Sequence, residues 1–124
     1  MSSISPTQRS LALIREDGGA PWIVERWTGP VKVDLYNLFD LLVVYPRKPH
    51  NGILAVQTTT ASNASSRVEK IRDSPYTVMW LRSGGRIQVH GWAKRGARGE
   101  RKAWSCRVLE VVIKDSGELS FVEI

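Results

Sequence analysis

Residues 53–71 have the sequence ILAVQTTTASNASSRVEKI, in which an apolar segment leads directly into a helical pattern. The four apolar residues of ILAV predict a buried strand over 53–59, as in central strands that are covered on both faces. Gln57 and Thr59 follow two residues apart, so they point to the same side of that strand. Val68 and Ile71 give the apolar side of a helix within 60–74. The stretch therefore predicts polar chemistry where a buried strand ends.

The segment LFDLLVVY, residues 38–45, predicts a second central strand beside the first. It contains one carboxylate, Asp40. A buried carboxylate is costly unless it is paired, hydrogen-bonded or bound to a metal ion. In a simpler alternative, Asp40 lies near the start of the strand, is partly hydrated and caps a turn. Because the neighbouring strand ends in Gln57 and Thr59, we interpret Asp40 as a metal ligand.

The remaining patterns predict an α/β protein, with a mixed central β-sheet flanked by helices in a single domain over residues 1–124. Ser5 predicts a helix cap with Pro6 at the first helical position, and Asp17-Gly18-Gly19 predicts the end of that helix. The further predicted elements are a strand within 21–29, a hairpin with strands at 76–82 and 86–93, a strand at 103–113 and a short tail at 116–124.

The charge distribution predicts a polyanionic partner, with nucleic acid favoured over a membrane. The chain has 124 residues, a net charge of +6 and a pI of about 9.9. Residues 82–107 contain eight Lys and Arg against one Glu, a net charge of +7, whereas residues 108–124 have a net charge of −3.

The single cysteine, Cys106, excludes an intrachain disulfide. The sequence also has no segment typical of a signal peptide or a membrane helix. These features fit a reducing compartment, and we expect a cytoplasmic protein.

The sequence GARGERK, residues 96–102, forms what we call the basic loop. It lacks the residue order of a phosphate-binding P-loop. A hydrated loop with no partner is one interpretation. We favour a role in contacting DNA phosphates, because so much of the positive charge lies here. The expected contact residues are Arg95, Arg98, Arg101 and Lys102.

Several other reactive or aromatic residues have simpler interpretations. His50 and His90 have no second histidine or cysteine at ligand spacing, so zinc is not expected. Cys106 fits a small core residue better than a nucleophile. One of the five tryptophans could stack on an unpaired base. We place Trp80 in the core and leave Trp92 open, since it lies close to the basic loop.

The order of these elements resembles the PD-(D/E)XK nuclease superfamily, and within it the small Holliday junction resolvase-like and phage-encoded members. In that pattern an Asp opens the second core strand and the next strand ends in Glu-x-Lys. The resemblance rests on residues 34–71, where Asp40 matches the Asp, Gln57 the Glu and Thr59 the Lys. It implies a restriction-endonuclease-like core and a structure-selective DNA endonuclease dependent on Mg²⁺ or Mn²⁺. It also implies branched or junction DNA as substrate and a homodimer.

The resemblance implies that Asp40, Gln57 and Glu25 hold the metal. A glutamine carbonyl can bind Mg²⁺, but more weakly than a carboxylate because it carries no charge. Glu25 or Asp34 could supply the missing acidity. The pattern also places a Glu on the first helix, where the nearest residue here is Gln8.

The catalytic lysine of the pattern is replaced by Thr59. The resemblance implies that Lys70 or Arg67, on the following helix, supplies the positive charge, and Arg67 is also an expected DNA contact. The alternative is a catalytically inactive relative that keeps the fold and binds nucleic acid.

Overall fold

The computed structural model describes residues 4–46, 52–96 and 98–124, in which one helix is followed by five strands, then by two helices and three further strands. The helices are α1 (Pro6–Glu16), α2 (Ala64–Asp73) and α3 (Pro75–Arg82), with a 3-10 turn at Ala61–Asn63 before α2. The strands are β1 (Ala20–Ile23), β2 (Arg26–Thr28), β3 (Val31–Val33), β4 (Leu41–Val44), β5 (Leu54–Thr60), β6 (Arg86–Arg95), β7 (Ala103–Ile113) and β8 (Leu119–Glu123).

Six strands form one mixed sheet in the order β1-β4-β5-β6-β7-β8. The neighbours β5 and β6 are parallel, and the other adjacent pairs are antiparallel. Helices α2 and α3 provide the crossover that a parallel pair requires. Strands β2 and β3 form a separate hairpin. The predicted α/β class, a mixed sheet flanked by helices, is confirmed.

The hydrophobic core has one layer on each face of the sheet. On the face covered by α1, Leu11 and Ile14 pack against apolar residues of β4 and β5. On the face covered by α2 and α3, Ile71 packs against apolar residues of β5, β6 and β7. Since successive residues of a strand alternate between faces, Gln57 and Thr59 lie on the α2 side and Thr58 on the α1 side.

The two central strands are adjacent, as predicted. Strand β4 pairs with β5 in an antiparallel register that sets Leu41 opposite Val56. That register sets Asp40, one residue before β4, opposite Gln57. The predicted first helix is also confirmed. The Ser5 hydroxyl accepts a hydrogen bond from the Gln8 amide at 3.2 Å, and the helix ends one residue before Asp17.

The predicted strand over 38–45 is shorter in the structure, because residues 34–39 form a tight turn. Tyr36 and Asn37 both have positive backbone φ angles, which residues other than glycine rarely adopt. The Tyr36 ring stacks on Tyr76 of α3 with 4.7 Å between ring centroids, and the Phe39 side chain is fully buried. These contacts anchor both ends of the turn and so position Asp40, which follows it.

The strand predicted at 76–82 is wrong, because this segment is α3. The Ser74 hydroxyl caps the helix by accepting from the Tyr76 amide, and Pro75 occupies the first turn. Trp80 and Leu81 pack against the core of the α2 face, as helical spacing allows. Aromatic and β-branched residues favour a strand here, but the cap and the required crossover favour a helix.

Two further boundaries differ from prediction. The strand expected within 21–29 is divided between β1 and β2, since the chain leaves the sheet edge after Val24, whose amide still donates to the Asp40 carbonyl. The expected tail at 116–124 contains β8, which pairs with β7 through a turn at Gly117. The turn predicted at 47–52, which includes His50, lies outside the described residues, apart from Gly52 at its end.

Candidate active site

An acidic cleft of about 370 Å³ opens at the end of β5. The start of α1, the β2–β3 hairpin, the turn before β4 and helix α2 all contribute to its walls. Its polar lining includes Glu25, Lys32, Asp34, Asp40, Gln57, Thr59 and Arg67. The cleft thus brings together the residues predicted from the two neighbouring strands, Glu25, and Arg67 of the following helix.

Three carboxylates meet in this cleft. Glu25, Asp34 and Asp40 each offer one oxygen, and these oxygens lie within 4.8 Å of one another. Asp40 is buried, whereas Glu25 and Asp34 are half-buried. Carboxylates this close repel one another when ionised, and a divalent cation or a shared proton relieves the repulsion. Oxygen ligands of this kind suit Mg²⁺ or Mn²⁺.

The Asp40 carboxyl is held firmly against the end of β5. Its Oδ2 accepts hydrogen bonds from the Thr58 amide at 2.8 Å, the Thr58 hydroxyl at 3.0 Å and the Gln57 side-chain amide at 3.0 Å. The Thr58 hydroxyl is also 2.7 Å from the hydroxyl of Thr7 on α1. The first helix and the strand therefore fix the orientation of this carboxyl, and its Oδ1 takes no part in these bonds.

Burial raises the pKa of Asp40 from 3.8 to about 7. The backbone hydrogen bond from Thr58 opposes this change, while contact with Glu25 and the charge of Asp34 add to it. A carboxyl with this pKa is partly protonated at neutral pH. A divalent cation at this site would favour the ionised form, so its binding would be coupled to release of a proton.

The Gln57 side chain is 3% exposed and is oriented by its neighbours. Its Nε2 donates to Asp40 and to the Thr58 carbonyl at 3.1 Å. Both partners are acceptors, so the amide nitrogen faces them and Oε1 points elsewhere. That oxygen is buried and has no hydrogen-bond partner, and the same holds for Asp34 Oδ1. Two buried acceptors without donors, one of them on Asp34 of the three carboxylates, fit a site for a cation.

Two cations line the cleft. Lys32 Nζ lies 2.7 Å from Glu25 Oε2. Partial burial disfavours its charge, but the hydrogen bond to Glu25 and the nearby carboxylates outweigh burial, so the pKa of Lys32 is raised. Arg67, predicted for this site, has a buried Nε without a hydrogen-bond partner. Lys32 was not predicted, because the sequence gives no sign that the β2–β3 hairpin folds over the end of β5.

The remaining predicted residues bring no charge to the cleft. Lys70 is half-buried on α2 and is not part of the cleft lining. Gln8 lines a different groove, between α1 and β7. Thr59 is buried in the cleft wall and brings no charge. Among the described residues of β5 there is accordingly no cation, and the positive charge of the cleft comes from the hairpin and from α2.

The basic loop lies at the same end of the sheet as the cleft. Strand β5 ends at Thr60, which is opposite Trp92, so β6 continues three residues further to Arg95. Arg95 and the cations of the loop are exposed. Trp92, which the sequence leaves open as a stacking residue, is buried, and its indole nitrogen donates to Ser10 at 2.9 Å. The exposed tryptophan here is Trp104.

Neither His90 nor Cys106 shows reactive character. Burial lowers the pKa of His90 to about 4, so its ring is neutral between Ser10 and Gln88. Burial raises the pKa of the Cys106 thiol to about 12, which disfavours the nucleophilic thiolate. Within residues 4–46, 52–96 and 98–124, the carboxylate trio is the one cluster with metal-binding spacing.

Comparison of the chain with protein-family models, curated proteins and solved structures finds no match. No helix in the described part of the chain has both the length and the apolar character needed to cross a membrane.

Proposed function

We propose that this protein is a metal-dependent, structure-selective DNA endonuclease of the Holliday junction resolvase type. It would hydrolyse phosphodiester bonds in branched DNA with Mg²⁺ or Mn²⁺, in the cytoplasm and as a homodimer. The carrying observation is the acidic cleft, in which three carboxylates lie beside the partnerless, buried Oε1 of Gln57. The observed order of helix, strand, Asp40 followed by β4, antiparallel β5 and helix α2 supports the resemblance, although the β2–β3 hairpin is inserted before Asp40.

Asp40, Glu25 and Asp34 would hold the metal ion, with the Gln57 carbonyl oxygen as a neutral ligand. When bound, a divalent cation neutralises the charge that develops on the phosphate and lowers the pKa of a water molecule. Thr58, which also lines the cleft, fixes the orientation of Asp40 with two hydrogen bonds. The chain thus supplies both the ligands and their alignment.

Lys32 replaces the absent strand lysine in this proposal. Its raised pKa keeps the ammonium charged at neutral pH, so it serves as a donor and counter-charge and not as a base. A metal ion held by Glu25 would compete with Lys32 for this carboxylate, so the ammonium would be available as a donor to a phosphate. Arg67 is the second phosphate contact, because its guanidinium lines the same cleft and its Nε lacks an acceptor.

The alternative function is a nucleic-acid-binding protein that has lost catalysis. Its support is the Gln57 amide, which donates to Asp40 and partly satisfies the acidic site without a metal ion. Metal binding separates the two proposals, because an inactive relative with a hydrogen-bonded cleft has no need of a cation.

The test is cleavage of end-labelled four-way junction, flap and linear duplex with Mg²⁺, Mn²⁺ or EDTA. We expect cutting of branched DNA that requires either metal ion. The Asp115→Asn variant is the matched control, since Asp115 is an exposed acid in the β7–β8 turn and its variant should cleave like wild type. Metal-independent binding of all three DNAs without any cutting would support the alternative instead.

A further inference from the structure

A groove of about 1030 Å³ runs between α1 and β7 on the face of the sheet opposite α2. Its lining includes Ser5, Gln8 and Arg9 of the first helix segment and Trp104 of β7. None of the three cleft carboxylates belongs to it. We propose that this groove binds a single-stranded segment of DNA, in which an unpaired base stacks on Trp104 and phosphates contact Arg9 and Lys94.

Trp104 is partly exposed, and two positively charged side chains lie close to its ring. Its side chain is 41% exposed. The guanidinium carbon of Arg9 lies 3.9 Å from the ring centroid, and Lys94 Nζ lies 5.6 Å from it. Such cation–π contacts hold both charges over one ring, although like charges repel. A polyanion placed here would relieve the repulsion. The Arg9 Nε is buried and lacks an acceptor, so this side chain also has an unused hydrogen-bond donor.

The chemistry of the groove selects unpaired nucleotides over duplex. The ring of Trp104 offers a stacking surface for a base once the Arg9 guanidinium turns from the ring to a phosphate, and the cations supply counter-charges, as in proteins that bind single strands. Within a duplex, both faces of a base are already stacked, so Trp104 could stack only after the base had been unstacked at a cost of a few kcal/mol. The neighbouring basic loop adds positive charge and no further aromatic residue.

The groove connects the two regions that the proposed function uses. Ser5 lines both the groove and the acidic cleft, so the two meet at the start of α1. At the other side, Lys94 is paired with Trp104 across the β6–β7 ladder and adjoins the basic loop. An unpaired strand in the groove would therefore lead into the cleft. The inference rests on the proposed function in taking DNA as the polyanion, and it adds that branched DNA with an unpaired arm is the preferred substrate.

The experiment measures fluorescence anisotropy of a labelled oligothymidylate of about 15 nucleotides, and of a labelled blunt duplex, both in EDTA. The variants are Trp104→Leu and Arg9→Gln. The matched control is Trp22→Leu, which removes a strand tryptophan that is 75% exposed on the edge strand β1. Loss of one stacked base, worth about 1–3 kcal/mol, corresponds to a loss of affinity of about fivefold or more.

We expect Trp104→Leu to lower oligothymidylate affinity by that factor while duplex affinity changes by less than about twofold, and Trp22→Leu to behave like wild type. Equal losses for single strand and duplex, or no loss for either, would overturn the inference. So would wild-type protein that fails to bind oligothymidylate. If the circular dichroism of Trp104→Leu shows that this variant does not fold, the Arg9→Gln variant tests the inference. Its affinity for the single strand must then fall for the inference to stand.

The two proposals fail separately in this design, because binding in EDTA does not depend on cleavage. Trp104-dependent binding by a protein that cuts no DNA would remove the nuclease proposal alone. If the protein cuts DNA with a metal ion but both variants bind the single strand as tightly as wild type, only the groove proposal is removed.

Discussion

Replacing Asp40 with asparagine should stabilise the metal-free protein at alkaline pH. The Asp40 carboxyl has a pKa of about 7 in the folded protein against 3.8 in the unfolded chain. Between these values the folded state retains a proton that the unfolded state has lost. The free energy of unfolding therefore falls as pH rises from about 4 to about 7 and stays low above that range. An asparagine side chain at this position does not titrate, so the Asp40→Asn variant escapes this loss.

The magnitude follows from the two pKa values. At 1.36 kcal/mol for each pH unit between them, ionised Asp40 costs the folded state about 4 kcal/mol at pH 8, and about 3 kcal/mol of this develops between pH 5 and pH 8. Asparagine can keep the main contacts, because its carbonyl oxygen can accept from the Thr58 amide and hydroxyl while its amide donates toward Glu25. The free energy of unfolding of the Asp40→Asn variant at pH 8 should therefore exceed that of wild type by nearly this full amount.

The assay is urea denaturation of wild type and Asp40→Asn at pH 5 and pH 8, in EDTA, with Asp115→Asn as the control for loss of an exposed acid. The advantage of the Asp40→Asn variant over wild type should grow by about 3 kcal/mol between the two pH values. Saturating Mg²⁺ at pH 8 should stabilise wild type and leave the variant little changed. Parallel pH dependence of wild type and variant would refute the reasoning about the buried carboxyl.

Other substitutions test individual parts of the account. Gln57→Glu should preserve cleavage and tighten Mn²⁺ binding measured by calorimetry, because it restores a charge beside the carboxylate trio; weaker binding would mean that Oε1 does not face the metal ion. Lys32→Met should slow single-turnover cleavage by about a hundredfold and weaken DNA binding much less, whereas Lys70→Ala should have little effect, since Lys70 lies outside the cleft lining. Replacing the four expected phosphate contacts with alanine should weaken binding to every DNA sequence and reduce the slope of log affinity against log salt by about 3 to 4, whereas Arg82→Ala should not. An unchanged salt slope would make the basic loop a solubility feature. The four residues are Arg95, Arg98, Arg101 and Lys102.

The strand and helix around the acidic cleft could be predicted because their signals are local. An apolar run ending in polar residues fixed the course of β5, and the carboxylate in LFDLLVVY stood out against its apolar neighbours. Adjacency of the two strands then placed Asp40 opposite Gln57. The burial cost of a lone carboxylate is a physical argument that needs no knowledge of the fold.

The remaining features depend on contacts between distant parts of the chain. Helix α3 has the composition of a strand, and only its Ser74-Pro75 start indicates the helix. The approach of Lys32 to the cleft follows from where the β2–β3 hairpin folds, which no periodicity encodes. Likewise, Trp92 and Trp104 both lie near the basic loop in sequence, but the neighbouring α1 covers Trp92 and leaves Trp104 partly open.

Single-turnover cleavage of a labelled four-way junction by wild type and Asp40→Asn tests the acidic cleft most directly. With Mg²⁺ or Mn²⁺, wild type should cut the junction and Asp40→Asn should not. Both proteins should bind the junction in EDTA, the variant at least as tightly because a charge that repels phosphate is gone. Cutting by Asp40→Asn at the wild-type rate would contradict the assignment of the cleft, and a wild-type protein that binds junctions but never cuts them would contradict the proposed activity.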